Sequence, residues 1–378
     1  MDSTANDKTP SIAWAELPLW IGILVTVLFT LFGNAWLADL SNPLWSGFLF
    51  VWLFLVMLWL AFGVVRHAES LAVKLGEPYG TLILTVSVIS IEVIMISAVM
   101  LTGENPTLAR DTLLSVLMIV LNGMLGITLL VGGLCHHQQS YNLQGASAYL
   151  GVIIPLAGLG LILPRYMPTA PGGEVTPLMA GWLIMVSMGL FTAFLWIQTL
   201  RHSGFFQQPS HTRDSAEELL TDEHDHIVVR SLTYHSVLLP LTMLPIILLS
   251  KEMAILVDHG IVTLGAPQAL GGFLVAILVL SPEGLAAIKA ALANKLQRTV
   301  NISLGSTLST IGLTIPAVLG ISLVTGKKVE LGLEEAHVYL LLFTLLVAIV
   351  NFSSERTKAL TGVVHLVLFL TYVVLIFD

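Results

Sequence analysis

The feature that most constrains this chain is its rhythm. Stretches of some twenty apolar residues recur from end to end, parted by short polar runs such as "RHAES", "TGENPTLARD", "RYMPTAPGGE", "TGKKVE" and "SSERTK". A helix rising 1.5 Å per residue needs roughly 20 apolar residues to cross a hydrocarbon core of about 30 Å. By that measure eleven spans are predicted: 18–38, 44–65, 79–101, 112–134, 146–164, 177–200, 232–250, 268–293, 300–324, 336–351 and 360–377. The seventh holds Pro240 and Pro245 and is expected to kink. Only 11% of the 378 residues are charged, against roughly 25% in a soluble domain. An all-α polytopic membrane protein follows.

Other features narrow the class. The net charge of −8 comes without a basic patch, so no nucleic-acid partner is expected. The single cysteine, Cys135, allows no internal disulfide and fits no metal-ligand spacing. The opening "MDSTANDKTPSIAWAE" lacks the marks of a signal peptide, so the first apolar stretch is expected to remain as a span. Lysine and arginine set the orientation. Lys8, Arg66, Lys74, Arg201, Arg213, Arg230, Lys289, Lys295, Arg298, Arg356 and Lys358 fall on one side of the alternating spans. Arg110, Arg165, Lys251, Lys327 and Lys328 fall on the other. Eleven against five predicts a cytoplasmic N-terminus and an outer C-terminus, which an odd number of spans requires.

The organisation expected is an N-terminal tail and extra helix (1–40), a first half (41–200), a polar linker (201–230) and a second half (231–378). The linker gathers His211, Glu217, Glu218, Asp222, Glu223, His224, Asp225 and His226. It reads as a solvated cytoplasmic connector ahead of a cation or pH sensor.

The two halves repeat. "GTLILTVSVISIE", Gly80 to Glu92, matches "GGFLVAILVLSPE", Gly271 to Glu283, without a gap, and both end Ser-x-Glu. A second pair follows each, "RDTLLSVLMIVLNGMLGI" from Arg110 and "RTVNISLGSTLSTIGLTI" from Arg298. The glutamates sit on the third and eighth spans. An odd separation turns one helix against the other, predicting two inverted five-helix repeats, a layout common in secondary transporters. Each glutamate lies about 12 residues, or roughly 18 Å, from its helix start, near the bilayer midplane. A charge there costs at least about 2.5–3.5 kcal/mol, so Glu92 and Glu283 are the candidate site. Burial disfavours the ionised form, so the pair can hold protons or a cation, the minimal chemistry of an antiporter.

Lesser candidates surround the pair. Pro282 deprives the Leu278 carbonyl of its helical donor, and Gly284 loosens the next turn, so a helix break that frees carbonyls for a cation is expected. Ala286, Ala287, Ala290 and Ala291 would admit a neighbouring helix. Ser90, Ser281, Asn122, Ser306, Thr307, Ser309 and Thr310 are supporting polar groups, although hydroxyls also bond back to their own helix. His365 in the last span reads as a packed histidine before a proton carrier. Glu77 reads as a group at the mouth or a simple helix-start acid.

"GEPYGTLILTVSVISIEV", "ARDTLLSVLMIVLNGMLG", "LVLSPEGLAAIKAALANKLQRTVNISLGSTLSTIGLTIPAV" and "ERTKALTGVVHL" resemble the bacterial ChaA-type calcium/proton antiporters, of the cation/proton exchanger branch of the calcium/cation antiporter superfamily. The resemblance runs from about Arg66 to the end. It implies two inverted five-helix halves plus one N-terminal helix, an acidic linker, and Glu92 and Glu283 as the cation and proton site. Asn122, Ser306 and Ser309 are implied as supporting groups, and a bacterial inner membrane as the location. The sequence departs from the wider family's Gly-Asn-Ala-x-Glu, having Val-Ile-Ser-Ile-Glu and Val-Leu-Ser-Pro-Glu, and has Ser309 where many exchangers have glutamine. Ca²⁺ takes six to eight oxygens, so Na⁺ and K⁺ stand beside it as substrates.

The expected function is cation/proton antiport. The expected partners are inorganic cations, protons and the bilayer, with no cofactor and with homo-oligomers admissible. A cation channel using the same acidic pair is the alternative. No nucleophile–base pair or metal-ligand cluster lies within the spans, so an enzyme is not expected.

Overall fold

The structure, a computed structural model, describes residues 12–76, 79–102, 106–168, 170, 172–209 and 230–378. Eleven apolar helices among them match the expected spans: α1 Leu17–Ala38, α2 Pro43–Leu75, α3 Tyr79–Thr102, α4 Leu108–His136, α5 Leu143–Tyr166, α6 Pro177–Arg201, α7 Leu232–Leu264, α8 Ala269–Leu292, α9 Leu296–Thr325, α10 Glu335–Asn351 and α11 Ala359–Phe377. Local chemistry sets several ends. Asn42 Oδ1 accepts from Leu44 N at 3.0 Å with Pro43 following. Asn142 Oδ1 does the same for Gln144 N at 3.0 Å, and Thr176 Oγ1 for Met179 N at 3.3 Å. Gly326, at φ +72°, ends α9 in the left-handed region that glycine enters without strain.

The helices form two compact units, and each draws on both sequence halves. Residues 1–87 and 212–253 make the first, residues 88–211 and 254–378 the second. In the first, α1 crosses α2 so closely that a Cβ on Gly22 would meet the Leu60 side chain at 2.6 Å. In the second, α4 and α8 press together where a Cβ on Gly272 would lie 2.6 Å from Thr112 N. Likewise α11 meets α4 where a Cβ on Gly362 would lie 2.4 Å from Leu130 N. A short antiparallel ladder, Gln139–Ser140 with Arg356–Thr357, joins the α4–α5 and α10–α11 loops. Apolar side chains also face outward, among them Leu24, Leu31, Leu346, Val350, Leu370 and Val374. In water such a surface would aggregate. In a multi-pass membrane protein it meets lipid.

Three expectations change. The second span extends from residue 65 to Leu75, because the polar "RHAES" turn finds partners inside the first unit. The seventh passes Pro240 and Pro245 unbroken and continues to Leu264, where Met253, Ala254 and Leu256 are buried at helical spacing. The break expected at Pro282 and Gly284 is absent, and α8 is continuous through both. A proline removes one backbone hydrogen bond, and the close packing of α8 on α4 holds the helix across that loss. The irregular backbone lies in its neighbours instead. Segments Ile119–Met124 of α4 and Thr310–Thr314 of α9 widen into π turns, which often mark functional sites.

Candidate functional site

Glu92 and Glu283 each sit near the middle of a 24-residue helix, α3 and α8 respectively. Both turn to α9. Thr310 Oγ1 donates to Glu92 Oε2 at 2.8 Å and Thr314 Oγ1 to Glu92 Oε1 at 3.1 Å. Ser306 Oγ donates to Glu283 Oε2 at 2.7 Å. The three donors are spaced by four residues, so one face of one helix holds both carboxylates. Ser306 and Thr310 are separated by about 6 Å of helix rise.

Sterics explain why α9 can present that face. Gly305 leaves room for the Tyr149 hydroxyl, 3.5 Å from where a Cβ would stand. Gly312 accepts the Phe191 ring at 3.0 Å, so Tyr149 and Phe191 support α9 from behind. Gly284 faces Met124 Sδ at 3.5 Å, bringing the Glu283 helix against the π turn of α4. Glu92 is 1% exposed, whereas Glu283 is half-buried. The site is therefore enclosed at one carboxylate and more open at the other.

The remaining expected groups divide. Ser306 and Thr310 touch the carboxylates. Ser309 Oγ bonds back to Gly305 O at 2.7 Å and Ser306 O at 3.1 Å, Thr307 Oγ1 to Ser303 O at 3.0 Å, and Ser281 Oγ to Ile277 O at 2.5 Å. Ser90 lies partly buried, two residues before Glu92. Asn122, which matches Thr310 in the repeat, reaches neither carboxylate. Its Nδ2 donates to Thr344 Oγ1 at 2.7 Å, and its Oδ1 lies 3.1 Å from His365 Nδ1. Asn351 Nδ2 stands 3.4 Å from His365 Nε2. His365 thus bridges two amides, fully buried, away from Glu92 and Glu283 in its bonding. Glu77 and the acidic and histidine residues from 211 to 226 lie outside the described residues.

Sequence reasoning missed Thr314, Thr344 and Asn351. Thr314 was open to discovery, one helical turn beyond Thr310 on the same face. The other two needed the tertiary contact. Among the described residues no group of three or more His, Cys, Asp or Glu is placed to hold a metal ion. The site's donors are thus two carboxylates and three hydroxyls. Oxygen alone suits hard cations such as Na⁺, K⁺ and Ca²⁺.

Known proteins resemble the chain in sequence and in fold. The family model described as sodium/calcium exchanger protein matches residues 45–200 and 234–377. The sodium-potassium/proton antiporter ChaA of Escherichia coli (strain K12) is 40% identical over 318 residues, covering 84% of this chain and 85% of that protein. A putative ionic transporter, y4hA, of Sinorhizobium fredii (strain NBRC 101917 / NGR234) is 38% identical over 316 residues, 83% of this chain and 84% of its own. The fold superposes on native YfkE with a TM-score of 0.73 at 18% identity, covering 96% and 99% of the two chains. It superposes on the H⁺/Ca²⁺ exchanger CAX with a TM-score of 0.63 at 12% identity, covering 96% and 88%.

Proposed function

The chain belongs to the sodium/calcium exchanger family, and from that premise we propose that Glu92 and Glu283 are the shared cation and proton site of a secondary active antiporter. The protein is a membrane transporter rather than an enzyme, exchanging a cation for protons. The observation that carries the site is the single face of α9 whose hydroxyls reach both carboxylates.

The cycle follows from electrostatics. With the N-terminus in the cytoplasm, a cytoplasmic Ca²⁺, Na⁺ or K⁺ displaces protons from Glu92 and Glu283. The loaded site then opens outward by alternating access. External protons release the cation and return inward on the carboxylates. The empty, doubly charged site is the state that does not cross, because each uncompensated charge in the bilayer costs at least about 2.5–3.5 kcal/mol. That penalty couples the two fluxes. The hydroxyls of Ser306, Thr310 and Thr314 serve both states, since a rotatable O–H donates to a carboxylate and its oxygen lone pairs face a cation. The relative named as a sodium-potassium/proton antiporter and the H⁺/Ca²⁺ exchanger of like fold support the three ions as substrates.

Proteoliposomes holding a pH-sensitive dye and an imposed pH gradient test the reading, with membrane potential clamped. One of the three cations collapses the gradient in wild type and not in Glu92→Gln or Glu283→Gln. A cation current under voltage with no proton movement would instead make the acidic pair a channel lining.

A further inference from the structure

Five of the hydroxyl residues on α9 follow one another at spacings of four, three, four and four: Thr299, Ser303, Ser306, Thr310 and Thr314. At about 100° per residue the first four fall within an arc of about 60°, so they form one stripe. Four of the five have a partner across the helix interface. Thr299 Oγ1 donates to the Ala287 carbonyl of α8 at 3.0 Å. Ser306 donates to Glu283, and Thr310 and Thr314 to Glu92. Ser303 is the exception. It is 0% exposed, and its Oγ is buried with no hydrogen-bond partner among the described residues.

The surroundings explain why no protein group answers it. Thr307 and Ser309 bond back to their own helix, whereas Ser303 does not. On α8 the stretch between Glu283 and Lys289 is Gly284, Leu285, Ala286, Ala287 and Ile288, without a polar side chain. The Ala287 carbonyl already accepts from Thr299. Ala287 and Ala291, both at 0% exposure, are small enough to let a neighbouring helix lie close. The far face of α9 is pinned. Asn301 Nδ2 donates to Phe206 O at 2.7 Å, and Gln297 Oε1 accepts from Asn142 N at 2.6 Å. The stripe is thus held toward α8. A buried hydroxyl without a partner destabilises the fold, and a group of that kind calls for a role that packing does not supply.

We propose that Ser303 lines the cytoplasmic leg of the cation's path and gives the ion an oxygen ligand there, one step before Ser306 and Glu283. This rests on the antiport reading of the two carboxylates. Ser303 lies about 4.5 Å of helix rise from Ser306, toward the start of α9. With the N-terminus inside, that start faces the cytoplasm. A hard cation binds oxygen at about 2.3–2.6 Å, so it can touch Ser306 before it leaves Ser303. The hydroxyl lone pairs suit such an ion, and no side chain of the structure competes for them. In this structure the seam between α8 and α9 is closed over Ser303, which is reached only when the two helices part. The hydroxyl therefore serves the state open to the cytoplasm, and its want of a partner is the cost carried by the closed one.

Ser303→Cys in a Cys135→Ser chain tests this, since Cys135 is the single cysteine. A small cationic methanethiosulfonate that does not cross membranes is applied during turnover to inside-out vesicles and to spheroplasts. Exposed Cys135 of the unaltered chain marks the cytoplasmic face. The introduced thiol is labelled from the face that labels Cys135, and the transported cation slows that labelling several-fold. Labelling from the opposite face alone, no labelling, or labelling that Ca²⁺, Na⁺ and K⁺ all leave unchanged overturns the proposal. If Ser303→Cys does not fold, Ser303→Ala decides. Its melting temperature in detergent stays at or above wild type, because an unpartnered hydroxyl is lost. Its cation concentration for half-maximal exchange rises several-fold from the cytoplasmic side and stays near wild type from the outer side. A lowered melting temperature with both half-saturations unchanged would make Ser303 a structural group and end the proposal. Exchange that survives both Glu92→Gln and Glu283→Gln sinks the carboxylate reading instead, and the role of Ser303 goes with it.

Discussion

Glu92 accepts two hydroxyl hydrogen bonds, from Thr310 and Thr314, whereas Glu283 accepts one, from Ser306. A hydrogen bond to a charged group is worth about 1.5–3 kcal/mol, so Ser306→Ala is expected to weaken apparent cation affinity roughly tenfold or more. Thr310→Val leaves Thr314 in place, and its loss is smaller. Equal affinities in both variants and wild type, read from the concentration dependence of gradient collapse, would remove the hydroxyls from the site. The carboxylates also fix the sign of the pH dependence. In the proposed cycle external protons release the cation, so raising the outer pH at constant inner pH is expected to slow cation export, and acidifying the inner side to oppose cation loading. His365 behaves differently. His365→Leu strands the amides of Asn122 and Asn351, each at a cost of about 1–3 kcal/mol. The melting temperature falls while cation affinity stays near wild type. A lost affinity would make His365 part of the exchange site.

At the scale of helices, close approach rather than proline chemistry shapes the site. Gly272 lets α8 lie on the α4 backbone, and Gly362 does the same for α11. Gly272→Val would drive carbon into backbone atoms that have nowhere to go, and folded yield in detergent is expected to collapse. Gly284→Ala meets only Met124 Sδ at ordinary contact distance. Its melting temperature is expected to stay close to wild type, although the residue stands next to Glu283. Loss of folding in Gly284→Ala with survival of Gly272→Val would invert this account. The π turns were not legible in sequence. They arise where α4 and α9 fit around neighbouring helices, and no local residue pattern marks them. The repeat alignment likewise gave Asn122 and Thr310 equal standing, and packing separated them. Thr310 meets a carboxylate, Asn122 an imidazole and a hydroxyl.

For the molecule as a whole, orientation is open to a simple labelling experiment. Cys135 is the single cysteine and is exposed at the end of α4. With the N-terminus inside, that end of the fourth span is cytoplasmic. A membrane-impermeant thiol reagent should label it in inside-out vesicles and spare it in intact spheroplasts, and the reverse pattern would turn the protein over.

The sequence by itself determined the class and the eleven helices, and it singled out the two candidate carboxylates. Apolar length must match a bilayer, and a charge within such a length stands out against its surroundings. It did not determine which hydroxyls face those carboxylates or how far α2 and α7 continue. Those depend on atoms far apart in the chain, and a polar residue in an apolar helix reveals its role only through the partner that folding brings to it.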